Sequence, residues 1–296
     1  MKILVTGGTG FVGKHLIHSL NEDNHKVTSL NSSKFTSMWY LPKDEYDVII
    51  HLAVKTAAGG YCQQHPGEQW IVNNSINTDM LAYWQSFQQR ATMITFGSSC
   101  GYNNDVIKTE ENYLLGEPEK GYEVYGMSKR NLLVGLKALN KEFMMDYNYL
   151  IPSVFYGPDY DLEDKHFIFD LIRKIVTAKN GGEEVVLWGD GTQERELIYI
   201  DDAVRIIRAC IDNPDAPKMF NLSSGETHTL KEYAQTICDI VGYDYNLIKW
   251  DTNAFVGSPS KKLVNTHLKG FEFTPLKEGL RKTIEWYKVN KTLKIE

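Results

Sequence analysis

A glycine-rich loop directly after the first predicted strand constrains this sequence more than any other feature. The run 3–5, Ile-Leu-Val, is typical of a buried parallel strand, and helical spacing of apolar residues extends from Lys14 to Leu20. Glycines between them at this spacing allow a tight turn, close approach of the backbone to a pyrophosphate, and close packing of helix on strand. The pattern therefore predicts a dinucleotide site, whose expected contacts are Gly7, Thr9, Gly10, Phe11, Val12 and Gly13.

Strand and helix patterns alternate through the first half of the chain, which is typical of an α/β protein with a doubly wound, Rossmann-type parallel sheet. The predicted strands cover 27–30, 47–52, 93–96 and 149–154, and the predicted helices cover 74–89 and 123–143. Later helices are expected at 166–178 and 202–211, with short strands at 185–188, 197–200 and 219–222. We expect a dinucleotide-binding domain over 1–160 and a smaller substrate domain over 161–296, with segments near 197–222 returning to the first domain.

The charge balance excludes several classes of partner. The 296 residues carry 32 basic and 38 acidic side chains, a net charge of −6, so there is no basic field for nucleic acid or an anionic membrane. The chain has neither an apolar run long enough to span a membrane nor a signal-peptide pattern at its start. Its four cysteines form no CxxC pair and no zinc spacing, which predicts reduced thiols, a cytoplasmic location and no metal.

The residues after the second strand bear on the choice of cofactor. NAD-binding folds usually place a carboxylate there to bind the ribose hydroxyls. This chain has Asn31, Ser32 and Ser33, followed by Lys34, and these groups suit a 2′-phosphate. We therefore expect NADP, with NAD possible, although Lys34 is equally compatible with a solvated loop charge. Leu52 and Ala53 end another strand and are expected beside the cofactor.

A tyrosine and a lysine lie four residues apart in the helix predicted over 123–143. Tyr125 and Lys129 therefore share one helix face, one turn apart. A free phenol, with a pKa of about 10, is a poor acid–base group at neutral pH. A close ammonium favours the phenolate, so we expect Lys129 to lower the pKa of Tyr125. Ser98 or Ser99, at a strand's carboxyl end, can share the hydrogen bond to a substrate carbonyl oxygen.

With these motifs in place, the chain resembles the extended short-chain dehydrogenase/reductase family over essentially its full length. The resemblance implies that Ser98, Tyr125 and Lys129 hold and protonate the reacting oxygen while a hydride passes to or from the nicotinamide. Ser99 is the competing serine. The run 51–54, His-Leu-Ala-Val, resembles the family's strand beside the cofactor, and Asn74 matches its helix-start asparagine.

Two further motifs resemble the GDP-L-fucose synthase subfamily. Gly97-Ser98-Ser99-Cys100 is similar to a motif whose cysteine is a catalytic acid–base, and the segment 164–168 is similar to one whose histidine, here His166, is the second. Thiol and imidazole suit removal and delivery of protons on carbons next to a keto group. Cys100 is also compatible with a buried packing thiol, and His166 with a helix cap.

The carboxyl-terminal half carries the subfamily's substrate motifs. The segment 186–197 includes Trp188 and Arg195, and the resemblance implies that the arginine reaches the pyrophosphate of a nucleotide sugar. Lys261 lies in a second matching segment over 257–263. Arg195 is also compatible with an inter-domain ion pair. Val154 stands where the subfamily has asparagine, so one substrate contact differs.

The leading hypothesis is an NADP(H)-dependent reductase, and also epimerase, of a nucleotide-linked 4-keto-6-deoxysugar. Two alternatives remain: a redox-neutral 4-epimerase with tightly bound NAD, and a non-catalytic dinucleotide-binding regulator. In the first hypothesis, Cys100 and His166 either epimerise the sugar or are vestigial. The resemblance also implies a homodimer through the helices over 74–89 and 123–143, with Tyr83, Trp84, Phe87, Leu132 and Leu136 as interface residues or core residues.

Overall fold

The computed structural model describes residues 1–31, 41–57, 60–254 and 258–293. The strands are β1 (Lys2–Thr6), β2 (Lys26–Leu30), β3 (Val48–His51), β4 (Thr92–Phe96), β5 (Tyr147–Pro152), β6 (Val154–Tyr156), β7 (Val186–Trp188), β8 (Glu194–Arg195), β9 (Leu197–Tyr199), β10 (Met219–Leu222), β11 (His228–Thr229) and β12 (Lys249–Asp251). The α-helices are α1 (Phe11–Glu22), α2 (Tyr61–Gln64), α3 (Pro66–Phe87), α4 (Glu123–Phe143), α5 (Phe167–Lys179), α6 (Ile200–Asp212), α7 (Leu230–Val241) and α8 (Leu276–Leu293).

Six parallel strands form the main sheet in the order β2-β1-β3-β4-β5-β10. The chain runs outward from β1 to β2 and then crosses back to β3, so the direction of winding reverses beside β1. In sheets of this kind, ligands bind at the carboxyl ends of the strands next to that reversal. The arrangement confirms the doubly wound parallel sheet expected from the sequence.

Apolar side chains cover both faces of this sheet. On one face Leu4, Ile49 and Met93 pack with Leu133 of α4 in one cluster. On the other face a second cluster includes Leu16 of α1, together with Ile3, Ile206 and Ile207. Strands buried on both faces explain the continuous apolar runs in the sequence, because neither face of such a sheet meets water.

A third apolar cluster lies in the carboxyl-terminal half. It includes Ile172 and Ile175 of α5, Tyr233 and Ile237 of α7, and Ile284 of α8. Three two-stranded sheets surround these helices: β6 with β9, β7 with β12, and β8 with β11. Strand β10, by contrast, pairs with β5 in the main sheet.

Two predicted elements differ from the structure. Helix α3 begins at Pro66 rather than at residue 74, and proline is favoured in the first turn of a helix. Polar residues of α3 such as Gln69 and Asn73 are buried, so the start of the helix has no clear apolar pattern in the sequence. The strand predicted over 149–154 is two strands, β5 and β6, which belong to different sheets. Among the described residues, no helix is long and apolar enough to cross a membrane.

Candidate active site

The glycine-rich loop joins β1 to α1 at the carboxyl edge of the sheet. The Gly10 amide donates to the Gly7 carbonyl at 2.9 Å, which closes the turn. A Cβ placed on Gly13 would lie 2.4 Å from the same carbonyl oxygen, so any larger residue would force α1 away from the loop. Gly10 is the N-cap residue and has no side chain to satisfy the first amides of α1. Free amides at a helix N-terminus bind phosphate, so the loop fits a dinucleotide pyrophosphate.

The other predicted cofactor residues lie around this loop. Thr9 is exposed, and half-buried Phe11 meets Phe169 of α5 edge-on, with ring centroids 5.9 Å apart. Half-buried Val12 packs against two of the apolar clusters. Leu52 and Ala53 leave β3 next to Gly7, since a Cβ on Gly7 would lie 2.8 Å from the Ala53 nitrogen. Of the residues after β2, Asn31 is half-buried, whereas Ser32, Ser33 and Lys34 lie outside the described residues.

The buried side chain of His51 links strands β1 and β3 to helix α3. Thr6 Oγ1 lies 2.7 Å from His51 Nδ1, and His51 Nε2 lies 3.2 Å from Asn77 Oδ1. The Asn77 amide donates to the Ser128 carbonyl at 3.3 Å, which links α3 to α4. Burial lowers the pKa of His51 to about 4, so the ring is neutral and serves as a structural hydrogen-bonding group. Asn77 makes the buried contact, whereas Asn74 accepts from the Asn131 amide at the surface. Because α3 begins at Pro66, Asn74 lies inside the helix and not at its start.

The first turns of α4 pack against the loop that follows β4. A Cβ on Gly126 would lie 2.6 Å from the Cys100 carbonyl oxygen, so the residue next to Tyr125 must be small. Lys129, one turn further on, is buried and donates from Nζ to the Phe96 carbonyl at 3.0 Å. These two contacts bring the predicted Tyr–Lys pair to the carboxyl end of β4, beside the serines.

Burial dominates the electrostatics of the Tyr–Lys pair. It lowers the pKa of Lys129 to about 8 and raises the pKa of Tyr125, against a hydrogen bond from Thr56. The Lys129 ammonium lies 5.9 Å from the centre of the Tyr125 ring and donates to the Phe96 carbonyl instead. Burial thus raises the pKa of Tyr125, whereas the sequence pattern alone predicts that Lys129 lowers it.

Two buried tyrosines that no sequence motif indicates connect α4 to the loop over 97–101. This loop carries Ser98 and Ser99 and is called the serine loop below. Tyr149 donates to the Lys129 carbonyl at 2.8 Å, its hydroxyl lies 3.2 Å from that of Tyr113, and Tyr113 accepts from the Ser98 amide at 3.3 Å. The Ser98 hydroxyl accepts from the Cys100 amide at 3.2 Å. Ser99 begins the short 3₁₀ turn Ser99–Gly101. Both serines are half-buried, and Ser98 is the one fixed by these bonds.

Arg130 holds the same loop from the other side. It is 4% exposed and donates to the carbonyls of Gly101, Leu115 and Gly116 at 2.7, 3.0 and 2.5 Å. An arginine next to a predicted catalytic lysine gives no sequence signal of this role, because its three acceptors are backbone carbonyls.

Half-buried Cys100 faces a largely buried ion pair rather than an apolar core. Lys261 Nζ lies 3.8 Å from Cys100 Sγ and 2.8 Å from Glu119 Oε2. The Lys261 ammonium also lies 4.7 Å from the centre of the Tyr122 ring. Burial raises the pKa of the Cys100 thiol, with Glu119 acting in the same direction and Lys261 against it. The sequence motif predicted Lys261, but it gave no signal for Glu119.

His166 is the N-cap residue of α5, but its ring binds elsewhere. Nδ1 lies 2.5 Å from Asp164 Oδ1, and that oxygen also accepts from the His166 amide at 2.8 Å. Although burial alone would raise the pKa of Asp164, its hydrogen bonds and charge interactions with His166 lower it. Asp164 thus orients the ring and leaves Nε2 for another partner. The polar contacts of His166 within the described residues are all to its own segment, 164–170.

The remaining predicted substrate residues lie in the carboxyl-terminal unit. Half-buried Arg195 in β8 donates to the Glu194 and Ser258 carbonyls at 2.7 and 2.9 Å. Burial lowers the pKa of Arg195, while Glu119, Tyr122 and Tyr233 act to raise it. In the described part of the chain no carboxylate lies within 4.0 Å of Arg195, which argues against an inter-domain ion pair. Trp188 in β7 is 62% exposed.

The structure therefore brings Ser98, Cys100, Tyr125, Lys129 and Lys261 together at the end of β4. The charges of Glu119 and Cys100 act on Arg195, whereas His166 and Trp188 belong to α5 and β7 of the second unit. Over the described ranges, no group of three or more His, Cys, Asp or Glu side chains could hold a metal ion.

Comparison with known proteins places this geometry in a family. The family model described as "NAD dependent epimerase/dehydratase family" matches residues 3–223. The chain belongs to this family. GDP-L-colitose synthase of Yersinia pseudotuberculosis is 30% identical, with 97% of this chain and 98% of that protein covered. GDP-L-fucose synthase 1 of Arabidopsis thaliana is 27% identical, with 98% and 94% covered.

The likeness extends to solved structures of the family. A GDP-L-fucose synthetase from Naegleria fowleri is 25% identical, with a TM-score of 0.84 over 98% of this chain and 94% of that one. A second structure of that protein, bound to NADP, is 24% identical with a TM-score of 0.82, and covers 98% and 95%. Together these findings confirm the family and the fold class expected from the sequence.

Proposed function

We propose that this protein is an NADP(H)-dependent reductase, and also an epimerase, of a GDP-linked 4-keto-6-deoxysugar. The relatives named GDP-L-colitose synthase and GDP-L-fucose synthase support GDP as the nucleotide, and the NADP-bound neighbour supports the cofactor. The observation that carries the proposal is the packing of α4 on the serine loop, since the Gly126–Cys100 and Lys129–Phe96 contacts assemble one acid–base group from separate elements.

Reduction needs a proton donor at the keto oxygen. Because burial raises the pKa of Tyr125, its phenol stays protonated at neutral pH and can donate to an oxygen that gains negative charge. Ser98 holds the same oxygen by a hydrogen bond, with Ser99 as the alternative serine. The Lys129 ammonium stabilises the phenolate left after transfer. A bound nicotinamide cofactor would supply the hydride, and the free amides at the amino end of α1 would hold its pyrophosphate.

Epimerisation needs two groups that exchange protons with sugar carbons next to the ketone. A keto group acidifies those carbons, and a thiol and an imidazole titrate close enough to neutral pH to move their protons. We assign these roles to Cys100 and His166. Asp164 holds His166 Nδ1, which leaves Nε2 as the atom that exchanges a proton.

The substrate's diphosphate requires local cations on a chain of net charge −6. Arg195 and Lys261 provide them, and a guanidinium can bind a diphosphate with two parallel hydrogen bonds. Trp188 offers an exposed indole against which a nucleotide base can stack.

We also propose a cytoplasmic homodimer. The four cysteines are free, as expected in a reducing compartment.

The dimer interface differs from the residues named in the sequence analysis. Tyr83, Trp84, Leu132 and Leu136 are buried in the chain's own core, so they are not the interface. The exposed apolar side chains of these two helices include Trp70 and Ile71 on α3 and Val134 on α4, on the same side as the Asn74–Asn131 hydrogen bond. Light scattering should give twice the chain mass, and Val134→Lys should halve it; a monomeric wild type would refute the dimer.

The test of the activity is a reduction assay over GDP-, CDP-, dTDP- and UDP-linked 4-keto sugars. Purified protein should oxidise NADPH with GDP-4-keto-6-deoxymannose or another GDP-linked 4-keto sugar. Tyr125→Phe should reduce this rate by roughly 10²- to 10⁴-fold, the usual contribution of a positioned acid, while NADPH binding persists. A folded wild type that reduces none of the sugars would refute the proposal. A cofactor that is never consumed while the sugar is interconverted would favour the 4-epimerase.

A further inference from the structure

A carboxylate that no sequence motif indicates lies beside the cysteine to which we assign acid–base work. Glu119 is 4% exposed and lies in the loop that leads into α4, four residues before the helix begins. Its amide donates to the Cys100 carbonyl at 3.1 Å, so its backbone is fixed to the cysteine. Its carboxylate binds Lys261 at 2.8 Å, and the Lys261 ammonium lies 3.8 Å from the Cys100 sulfur. Three groups from separate segments therefore form one cluster, in which Glu119 is buried and Cys100 and Lys261 are half-buried.

A buried ion pair of this kind needs a reason to be there. Charges removed from water cost free energy that their mutual attraction does not always recover, so the pair is weak evidence of a stabilising role. A lysine meant only for a diphosphate would gain nothing from a carboxylate that competes for it. The position of the pair against the sulfur suggests instead that its two charges act on the thiol.

We propose that Glu119 is a positioning residue that, together with Lys261, sets the protonation state of Cys100. The carboxylate holds the ammonium against the sulfur and favours the neutral thiol, whereas the ammonium favours the thiolate. The pair thus keeps the thiol ready to give a proton and stabilises the anion once the proton has left. This role rests on the proposed function, in which Cys100 exchanges protons with the sugar.

The charges that surround the sulfur agree with this assignment. Among the described residues, the other groups that interact electrostatically or by hydrogen bonding with Cys100 are Ser98, Tyr113, Tyr125 and Arg195. Burial first raises the pKa of the Cys100 thiol; Lys261 and the Ser98 hydrogen bond oppose that rise, and Glu119 adds to it. Burial alone would lower the pKa of Lys261, but Cys100 and Glu119 raise it, so the lysine stays charged.

The two members of the pair should therefore have opposite effects on the thiol, and this can be measured without substrate. The rate at which iodoacetamide alkylates Cys100 is followed against pH by mass spectrometry of the tryptic peptide 91–108, which contains no other cysteine. Glu119→Gln should move the midpoint to lower pH and speed alkylation near neutral pH, and Lys261→Met should do the reverse. Each unit of pKa changes the thiolate fraction tenfold, and reduced nucleophilicity leaves roughly a threefold to fourfold change in rate.

Matched variants separate this role from a structural one. Glu117→Gln removes an exposed carboxylate two residues from Glu119 and should leave the pH profile of alkylation unchanged. Lys261→Arg keeps the positive charge and should give a profile close to that of the wild type. The double variant Glu119→Gln/Lys261→Met should fall between the single variants. If both single variants shift the midpoint in the same direction, or neither shifts it, the proposal is overturned.

Folding of each variant is checked by circular dichroism. If Glu119→Gln does not fold, Lys261→Met decides alone: slower alkylation supports the proposal and an unchanged rate overturns it. Because alkylation needs neither sugar nor cofactor, a failure here is distinct from a failure of the reduction assay.

Discussion

Replacing the buried Lys129 by methionine should make the protein more stable while it abolishes reduction. Lys129 is 6% exposed, and burial lowers its pKa from 10.5 to about 8. A difference of roughly 2.5 units corresponds to about 3 kcal/mol by which folding is weakened when the lysine is charged. Methionine fills a similar volume without a charge, but it leaves the Phe96 carbonyl without its donor, which costs about 1–3 kcal/mol. We expect a net gain of roughly 1 kcal/mol at about pH 7.

The gain should depend on pH, and the sign follows from proton binding. Between about pH 8 and 10.5 the native lysine has lost its proton while the unfolded chain still holds one. Stability rises with pH wherever the unfolded state binds more protons, so the wild type gains stability across this window. The advantage of Lys129→Met should therefore be largest below about pH 8 and decline towards pH 10.5.

Urea unfolding at several pH values measures this difference. Lys137→Met, an exposed lysine on the same helix, is the matched control and should change stability by less than about 0.5 kcal/mol with no such trend. If Lys129→Met were less stable than wild type throughout, or if its advantage did not change with pH, the argument that a buried charge is held here at a cost would be refuted.

Two further substitutions test the other parts of the site. Asp164→Ala should free the His166 ring and slow the entry of solvent deuterium into the sugar roughly tenfold. Asp164→Asn keeps an acceptor and should slow this exchange less. Equal exchange in the wild type and both variants would remove Asp164 from the mechanism. Arg195→Met should raise the KM for the GDP-sugar by roughly 10- to 100-fold, the effect of about 1.5–3 kcal/mol from a charge-assisted hydrogen bond, and steady-state kinetics with an unchanged KM would contradict diphosphate binding.

The glycine-rich loop and the sheet were predictable from sequence because both depend on local patterns. Gly10 and Gly13 pack against the loop's own backbone at Gly7 and Gly8, and apolar runs mark strands that are buried on both faces. The Tyr125–Lys129 pair was predictable for the same reason, since helical spacing alone puts both on one face.

The supporting residues were not predictable, because their partners lie far away in sequence. Glu119 meets Lys261 across 142 positions (261 − 119), and no local pattern indicates such an encounter. Tyr113 and Tyr149 read as ordinary core residues until their hydroxyls are seen to connect Lys129 to Ser98. The direction in which the pKa of Tyr125 shifts is not predictable either, because a sequence shows the neighbouring charge but not the degree of burial.

The fate of the cofactor's hydride tests the central claim most directly. Protein incubated with a GDP-linked 4-keto-6-deoxysugar and NADPH deuterated at the transferable position should yield a sugar with one deuterium at carbon four. The labelled sugar should form in equal amount to the oxidised cofactor. A sugar that is interconverted without label, while the NADPH remains unspent, would contradict the account.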